Sequence, residues 1–150
     1  MLHEKIKEDI KEATKRREEL RLGVLRGISA ALINELVAKR RKPDELISDE
    51  DTLTVIARLA KQRKDSIEQF RAGGREDLAR EEEAELVILQ GFLPDQMSRA
   101  EVLEFAKKKK AALDINDKAK AGQLMGMIMK ELKGKADGGM VKEVVESLFK

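Results

Sequence analysis

Cysteine, tryptophan and tyrosine are absent from the 150 residues, and histidine occurs once, at His3. The lack of cysteine removes disulfide scaffolds, thiolate nucleophiles and the usual structural zinc sites. One histidine leaves acid–base catalysis a single poor candidate. Aromatic residues make up 3% of the chain, too few for a β-sandwich, whose pleated faces are packed by aromatic and β-branched side chains. The longest apolar runs are four or five residues, so nothing in the sequence spans a membrane. The opening MLHEKIKEDIKEATKRREEL alternates charge and has no apolar signal core, and the expectation is a cytoplasmic protein.

What is present points to helices. Alanine, glutamate, lysine, arginine and leucine supply 84 of the 150 residues, the composition of helical bundles when it is joined to a helical period. A chain of this length buries about 68–70% of its unfolded surface, enough for one or two small cores. The net charge of +2 conceals an asymmetry: residues 1–93 carry 19 basic and 20 acidic groups, and residues 94–150 carry 12 and 9. Between 107 and 135 there are nine lysines and three acids, a local excess that attracts a polyanion.

The apolar spacing predicts seven helices in two groups. Leu2, Ile6, Ile10 and Ala13 form one helical face, and Leu20, Val24, Ile28, Leu32 and Leu36 form the next. That second helix ends in the basic run Lys39–Lys42 before Pro43, where cations meet the negative end of the dipole. Ser48 caps a third helix whose inward positions are Leu53, Ile56, Leu59, Ala60, Ile67 and Phe70. Gly73-Gly74 ends it, and a fourth helix from about Arg75 to Phe92 returns antiparallel, with Leu78, Leu86, Leu89 and Leu93 inward. Pro94 opens a short polar hinge, 94–97. Ser98 and Glu101 then read as a capping box, each side chain satisfying the other residue's backbone N–H. Val102, Ala106 and Leu113 face inward on that helix. Leu124, Ile128 and Leu132 mark the next, and Val141, Val144, Val145 and Leu148 mark the last, which Asp137 caps. The fold class is therefore all-α: an N-terminal helical bundle over 1–93 and a small three-helix tail over 98–150.

The search for chemistry is mostly negative. No glycine-rich phosphate loop or dinucleotide fingerprint is present. The five serines have no histidine partner to activate them. Glu81, Glu82, Glu83 and Glu85 read as a solvated helix face rather than a metal site. No catalytic, cofactor-binding or metal-binding residue is assigned, and no cofactor is expected.

The tail holds the binding candidates. Lys107–Lys110 fan around a helix and read as a solvated last turn or as part of a phosphate-facing surface. Gly122 and Gly126 lie four apart on one helix face, each costing about 1 kcal/mol relative to alanine. Close approach by a neighbouring helix, or by an RNA or partner backbone, would offset that cost. The segment 130–139 brings three lysines and flexible glycines to a helix start, where free N–H groups favour phosphate. The nucleic-acid-binding candidates are Lys118, Lys120, Lys130, Lys133, Gly134 and Lys135.

Three stretches carry a resemblance: LRGISAALINELV (25–37), LAKQRKDSIEQFRAGGREDLAREEEAELVILQGFLPDQMS (59–98) and MGMIMKELKGKADGGMV (125–141). In this order they resemble the YqeY family, also called the GatB/YqeY domain, over nearly the whole chain. The resemblance implies a two-part, all-helical cytosolic protein related to the C-terminal part of the GatB component of the bacterial tRNA-dependent amidotransferase, whose tail contacts tRNA. Similar domains are fused to some glutaminyl-tRNA synthetases. It also carries a label of carbon–nitrogen ligase activity with glutamine as amido donor. One position departs: Gln123 stands where the family often has a basic residue.

The preferred reading is a non-catalytic accessory module that binds tRNA or another structured RNA weakly, through salt-dependent contacts to its backbone. The alternative is a docking module for a tRNA-charging or tRNA-modifying enzyme, such as an amidotransferase. Third stands the ligase activity, exercised only within a larger complex.

Overall fold

The computed structural model describes all residues from Met1 to Lys150. The chain is all-α, as its composition and spacing indicate. Seven α-helices run α1 (Leu2–Arg16), α2 (Glu19–Ala38), α3 (Asp49–Ala72), α4 (Glu76–Gln90), α5 (Arg99–Ala112), α6 (Ala121–Glu131) and α7 (Gly138–Ser147), with a short 3₁₀ turn at Lys118–Lys120 before α6. The chain divides into two compact units, Met1–Leu93 and Pro94–Lys150.

In the first unit, local chemistry sets the helix ends. Ser48 caps α3, its hydroxyl accepting from the Asp51 N–H at 3.2 Å, and Asp49, Glu50 and Asp51 place negative charge at the positive end of the dipole. At the other end the left-handed residue is Gly74, φ 73°. Without a Cβ it adopts that conformation freely, and the Arg75 N–H reaches back to the Phe70 carbonyl at 2.7 Å. α4 then returns along α3, the most extensive helix pairing in the chain. Arg63 on α3 bridges to Glu82 at 3.2 Å and Glu85 at 3.1 Å on α4. Arg71 pairs with Glu83 and, at 3.3 Å, with Glu76. Three carboxylates of the α4 acidic run, Glu82, Glu83 and Glu85, are thus divided between two arginines.

The core of this unit joins Ile6 and Ala13 of α1, Val24, Leu25, Ile28, Leu32 and Leu36 of α2, Val55, Ile56 and Ala60 of α3, and Leu89 of α4. Burying a side chain of this size stabilises by about 1.5–3 kcal/mol. Two inward assignments are corrected. Leu20 is half exposed, because it lies within α2 and steps of four residues drift about 40° each, which carries the start of the series off the buried face. Leu53 is only partly buried, and Val55 fills the core beside Ile56 instead. His3 is buried, and its Nδ1 accepts from the Ile47 N–H at 3.0 Å. That bond ties α1 to the segment before α3.

The second unit has its own core, built from Val102 and Ala106 of α5, Ile115, Leu124 and Ile128 of α6, Leu132, and Val141, Val144 and Val145 of α7. Ser98 caps α5 by accepting from the Glu101 N–H at 3.2 Å. The reciprocal half of the capping box differs from expectation: the Glu101 carboxylate accepts from the Ser98 hydroxyl at 3.1 Å rather than from its backbone. Asp114 takes a left-handed conformation, φ 52°. This turn leaves Leu113 exposed and directs Ile115 into the core, the reverse of the inward place expected for Leu113. The polar segment after Pro94 is tied down within this unit. The Met97 N–H donates to the Lys135 carbonyl at 2.8 Å, and Gln96 Nε2 donates to the Gly134 carbonyl at 2.9 Å.

Candidate nucleic-acid interface

The tail lysines fall into a used set and an available set. Lys109 on α5 pairs with Glu131 of α6, and Lys110 lies 5.2 Å from the centre of the Phe149 ring, a cation–π contact. Lys107 and Lys108 are exposed and make no ion pair. Of the four consecutive lysines, two thus belong to the internal packing of the tail.

The six candidate residues do not form one cluster. Lys118 and Lys120 lie in the 3₁₀ turn before α6, where the Asp117 carboxylate accepts from the Ala119 N–H at 3.0 Å. Lys130 is in the last turn of α6, and Lys133, Gly134 and Lys135 follow it. The eleven residues of α6 separate the two groups by about 16 Å. Lys118, Lys120, Lys130 and Lys135 are exposed and without ion pairs, whereas Lys133 already has a partner in the chain.

The loop after α6 offers less to a phosphate than its sequence suggests. Gly134 is left-handed at φ 79°, and its carbonyl is taken by Gln96. The N–H groups of Lys135 and Ala136 both bond the Leu132 carbonyl, at 2.9 and 3.1 Å. At the start of α7 the Asp137 carboxylate accepts from the Met140 N–H at 3.1 Å. An anion already sits where an incoming phosphate would bind.

The open backbone lies on α6 itself. A Cβ added at Gly122 or at Gly126 would meet nothing within 4 Å, so neither glycine serves the close approach of a neighbouring helix. Leu124 and Ile128 turn inward, and the opposite face presents Gly122, Gln123, Gly126, Met129 and Lys130. Met127 is exposed on its flank, and the end of the Met129 side chain lies 3.1 Å from where a Cβ on Gly138 would stand. Sequence reasoning missed both methionines. Their signal was position: they are apolar residues off the Leu124–Ile128 stripe. Between Lys120 and Lys130 this face is uncharged and free of branched side chains.

Fold and site together define a class: an all-helical protein of two compact units, with the unpaired lysines of its tail set around an open glycine-bearing helix. The model of the YqeY-like protein family matches residues 3–149. The chain belongs to this family, as its motifs indicated. It is 32% identical over 134 residues to the Altered inheritance of mitochondria protein 41, mitochondrial, of Pyrenophora tritici-repentis, covering 88% of this chain and 71% of that one. The protein of the same name from Saccharomyces cerevisiae is 32% identical over 132 residues, covering 88% and 68%. That of Lachancea thermotolerans is 34% identical over 89 residues, covering 59% and 46%.

These relatives correct one expectation. They are named as mitochondrial proteins, which conflicts with the cytoplasmic location read from the sequence. The physical reason is that a missing apolar signal core speaks only against secretory export. Mitochondrial import is read from basic amphipathic segments, which hydropathy does not separate from an ordinary charged helix.

Proposed function

We propose that the tail, Pro94–Lys150, is a weak RNA-binding module, and that the protein acts as a non-catalytic accessory to structured RNA, with tRNA the leading candidate. The observation that carries this reading is the α6 face. Its two glycines leave the helix backbone uncovered, and Lys118 and Lys120 at one end and Lys130 and Lys135 at the other have no acidic partner in the chain. A phosphodiester chain crossing α6 would meet cations about 16 Å apart, with uncharged surface between them. Lysine is a compact point charge without the bidentate fork of arginine, so it recognises phosphate rather than base sequence. All four phenylalanines are partly buried, which removes the exposed aromatic rings that stack on single-stranded bases.

The test is fluorescence anisotropy of labelled bulk tRNA against the full chain across a salt series. Three to five neutralised phosphates give a log–log slope of about −2 to −4. Replacing Lys130 and Lys135 by alanine is expected to flatten that slope by about one to two units with helix content unchanged. Binding that ignores salt, or that survives removal of all four lysines, would reject the reading in favour of a protein-docking module.

A further inference from the structure

Helix α2 is apolar on two sides. Val24, Leu25, Ile28, Leu32 and Leu36 are buried in the first unit. A second series, Leu20, Gly23, Gly27, Ala30, Asn34 and Val37, recurs at steps of three, four, three, four and three. Such spacing places all six on one outward seam, the a/d pattern of a coiled coil. Leu20 is 50% exposed and Val37 56%, with Ile33 beside them at 40%. Glycine in a helix interior is unfavourable, yet a Cβ at Gly23 or Gly27 would meet nothing within 4 Å. Nothing within the chain accounts for this seam.

We infer that a second copy of this chain covers it, with the two α2 helices antiparallel. Antiparallel seams pair each a position with a d position of the partner. Here that register sets Leu20 opposite Val37, Gly23 opposite Asn34 and Gly27 opposite Ala30, each pair met twice about the two-fold axis. The small residues fall at the centre, where the helices cross closest, and the large ones at both ends. The pattern is self-complementary, as a two-fold interface requires.

The charges select a second copy rather than an unrelated helix. α2 is preceded and opened by Glu18 and Glu19 and followed by the basic run Lys39–Lys42. Antiparallel pairing brings each acidic start beside the other copy's basic end. Glu18 is occupied by Arg21, Lys39 by Glu35 and Asp51, and Arg41 by Glu45. The side chains of Glu19 and Arg40 have no ion-pair partner in the chain. In this register Glu19 lies opposite position 38, two residues before Arg40 in the chain. The shape agrees. A shallow groove of about 340 Å³ between α2 and α3 borders the seam at Asn34 and Ala38, with Leu59 and Gln62 on its far side. Leu20 of the facing copy arrives at its mouth. The contact is one helix long, about 30 Å, at the small end of specific interfaces, so micromolar dimerisation is expected.

Sedimentation velocity of the full chain over a micromolar concentration range tests the pairing. A concentration-dependent monomer–dimer equilibrium is expected. Gly27→Glu, at a position where an added Cβ meets nothing within 4 Å, is expected to abolish it without loss of helix. Glu19→Arg and Arg40→Glu each affect two ion pairs and are expected to weaken the dimer by about 2- to 30-fold. The double exchange Glu19→Arg with Arg40→Glu is expected to restore it. Val87→Glu, at a position 67% exposed on α4 and off the seam, should change nothing. A monomer at every concentration, a dimer indifferent to Gly27→Glu, or no rescue by the double exchange would overturn the proposal.

Discussion

The single histidine makes the acid sensitivity of the first unit a one-residue question. His3 is buried, and its Nδ1 accepts the Ile47 N–H at 3.0 Å. A nitrogen that accepts must be unprotonated, so the fold selects the neutral ring. Burial pushes its pKa below the ordinary 6.5; the Lys7 charge acts in the same direction, and Glu4 opposes both. A group with a lowered folded pKa contributes its full stability above its unfolded value. That contribution is present above pH 6.5 and is lost as pH falls through the lower folded value. The hydrogen bond sets a second magnitude. His3→Leu leaves the Ile47 N–H without an acceptor, at a cost of about 1–3 kcal/mol. For a unit of this size each kcal/mol moves Tm by about 4–8 °C. His3→Asn places an amide oxygen near the position of Nδ1 and does not titrate. Thermal melts followed by circular dichroism between pH 7.5 and 5 should show Tm falling with acid in the native chain. His3→Asn should lose that dependence, and His3→Leu should start lower and stay flat. An imidazole pKa at or above 6.5 by NMR, or the same acid slope in native chain and His3→Asn, would refute the reasoning.

Three further outcomes are expected. Gly122→Ala with Gly126→Ala should stabilise the tail by about 1–2 kcal/mol in urea melts, since both Cβ atoms enter open space, while weakening tRNA binding in the anisotropy assay. Limited proteolysis should cut first around Leu93–Asp95 rather than at Gln96 or Met97, whose groups are bonded to the 134–135 loop, and mass spectrometry of the early fragments reads this directly. Purified protein should release no ammonia from glutamine, because no serine has a histidine partner to activate it; release that disappears on replacing one serine would reverse that view.

Most of the architecture was legible in the sequence because it is written in local chemistry. Ser48 and Asp137 cap where their spacing places them, and Val24, Ile28, Leu32 and Leu36, then Leu124, Ile128 and Leu132, then Val141, Val144 and Val145 are buried as their period requires. One error, at Leu113, lies where the chain leaves helical geometry. A left-handed residue resets the phase of the pattern, and three of them, Arg17, Arg40 and Asp114, are not glycines and give no warning. Asp114 accounts for the exchange of Leu113 for Ile115. The candidate site was legible as composition and not as geometry. A lysine count cannot record that Lys109 and Lys110 are engaged inside the tail, or that Asp137 occupies the start of α7. The openness around Gly122 and Gly126 depends on where α5 and α7 run, which no window along α6 contains.

The two buried clusters share no residue, and this orders events on the ribosome. The first cluster runs from Ile6 to Leu89, and α2, which packs on α4 where α1 does not, must wait for Leu89 before its apolar side is fully covered. At about 5–20 residues per second that wait lasts about 3–13 seconds. Once Leu93 has emerged, everything this core needs has been made, and it can close while the residues from Pro94 onward are still being added. The tail closes afterwards, on contacts entirely its own. A nascent chain stalled within the tail would therefore carry a finished first unit.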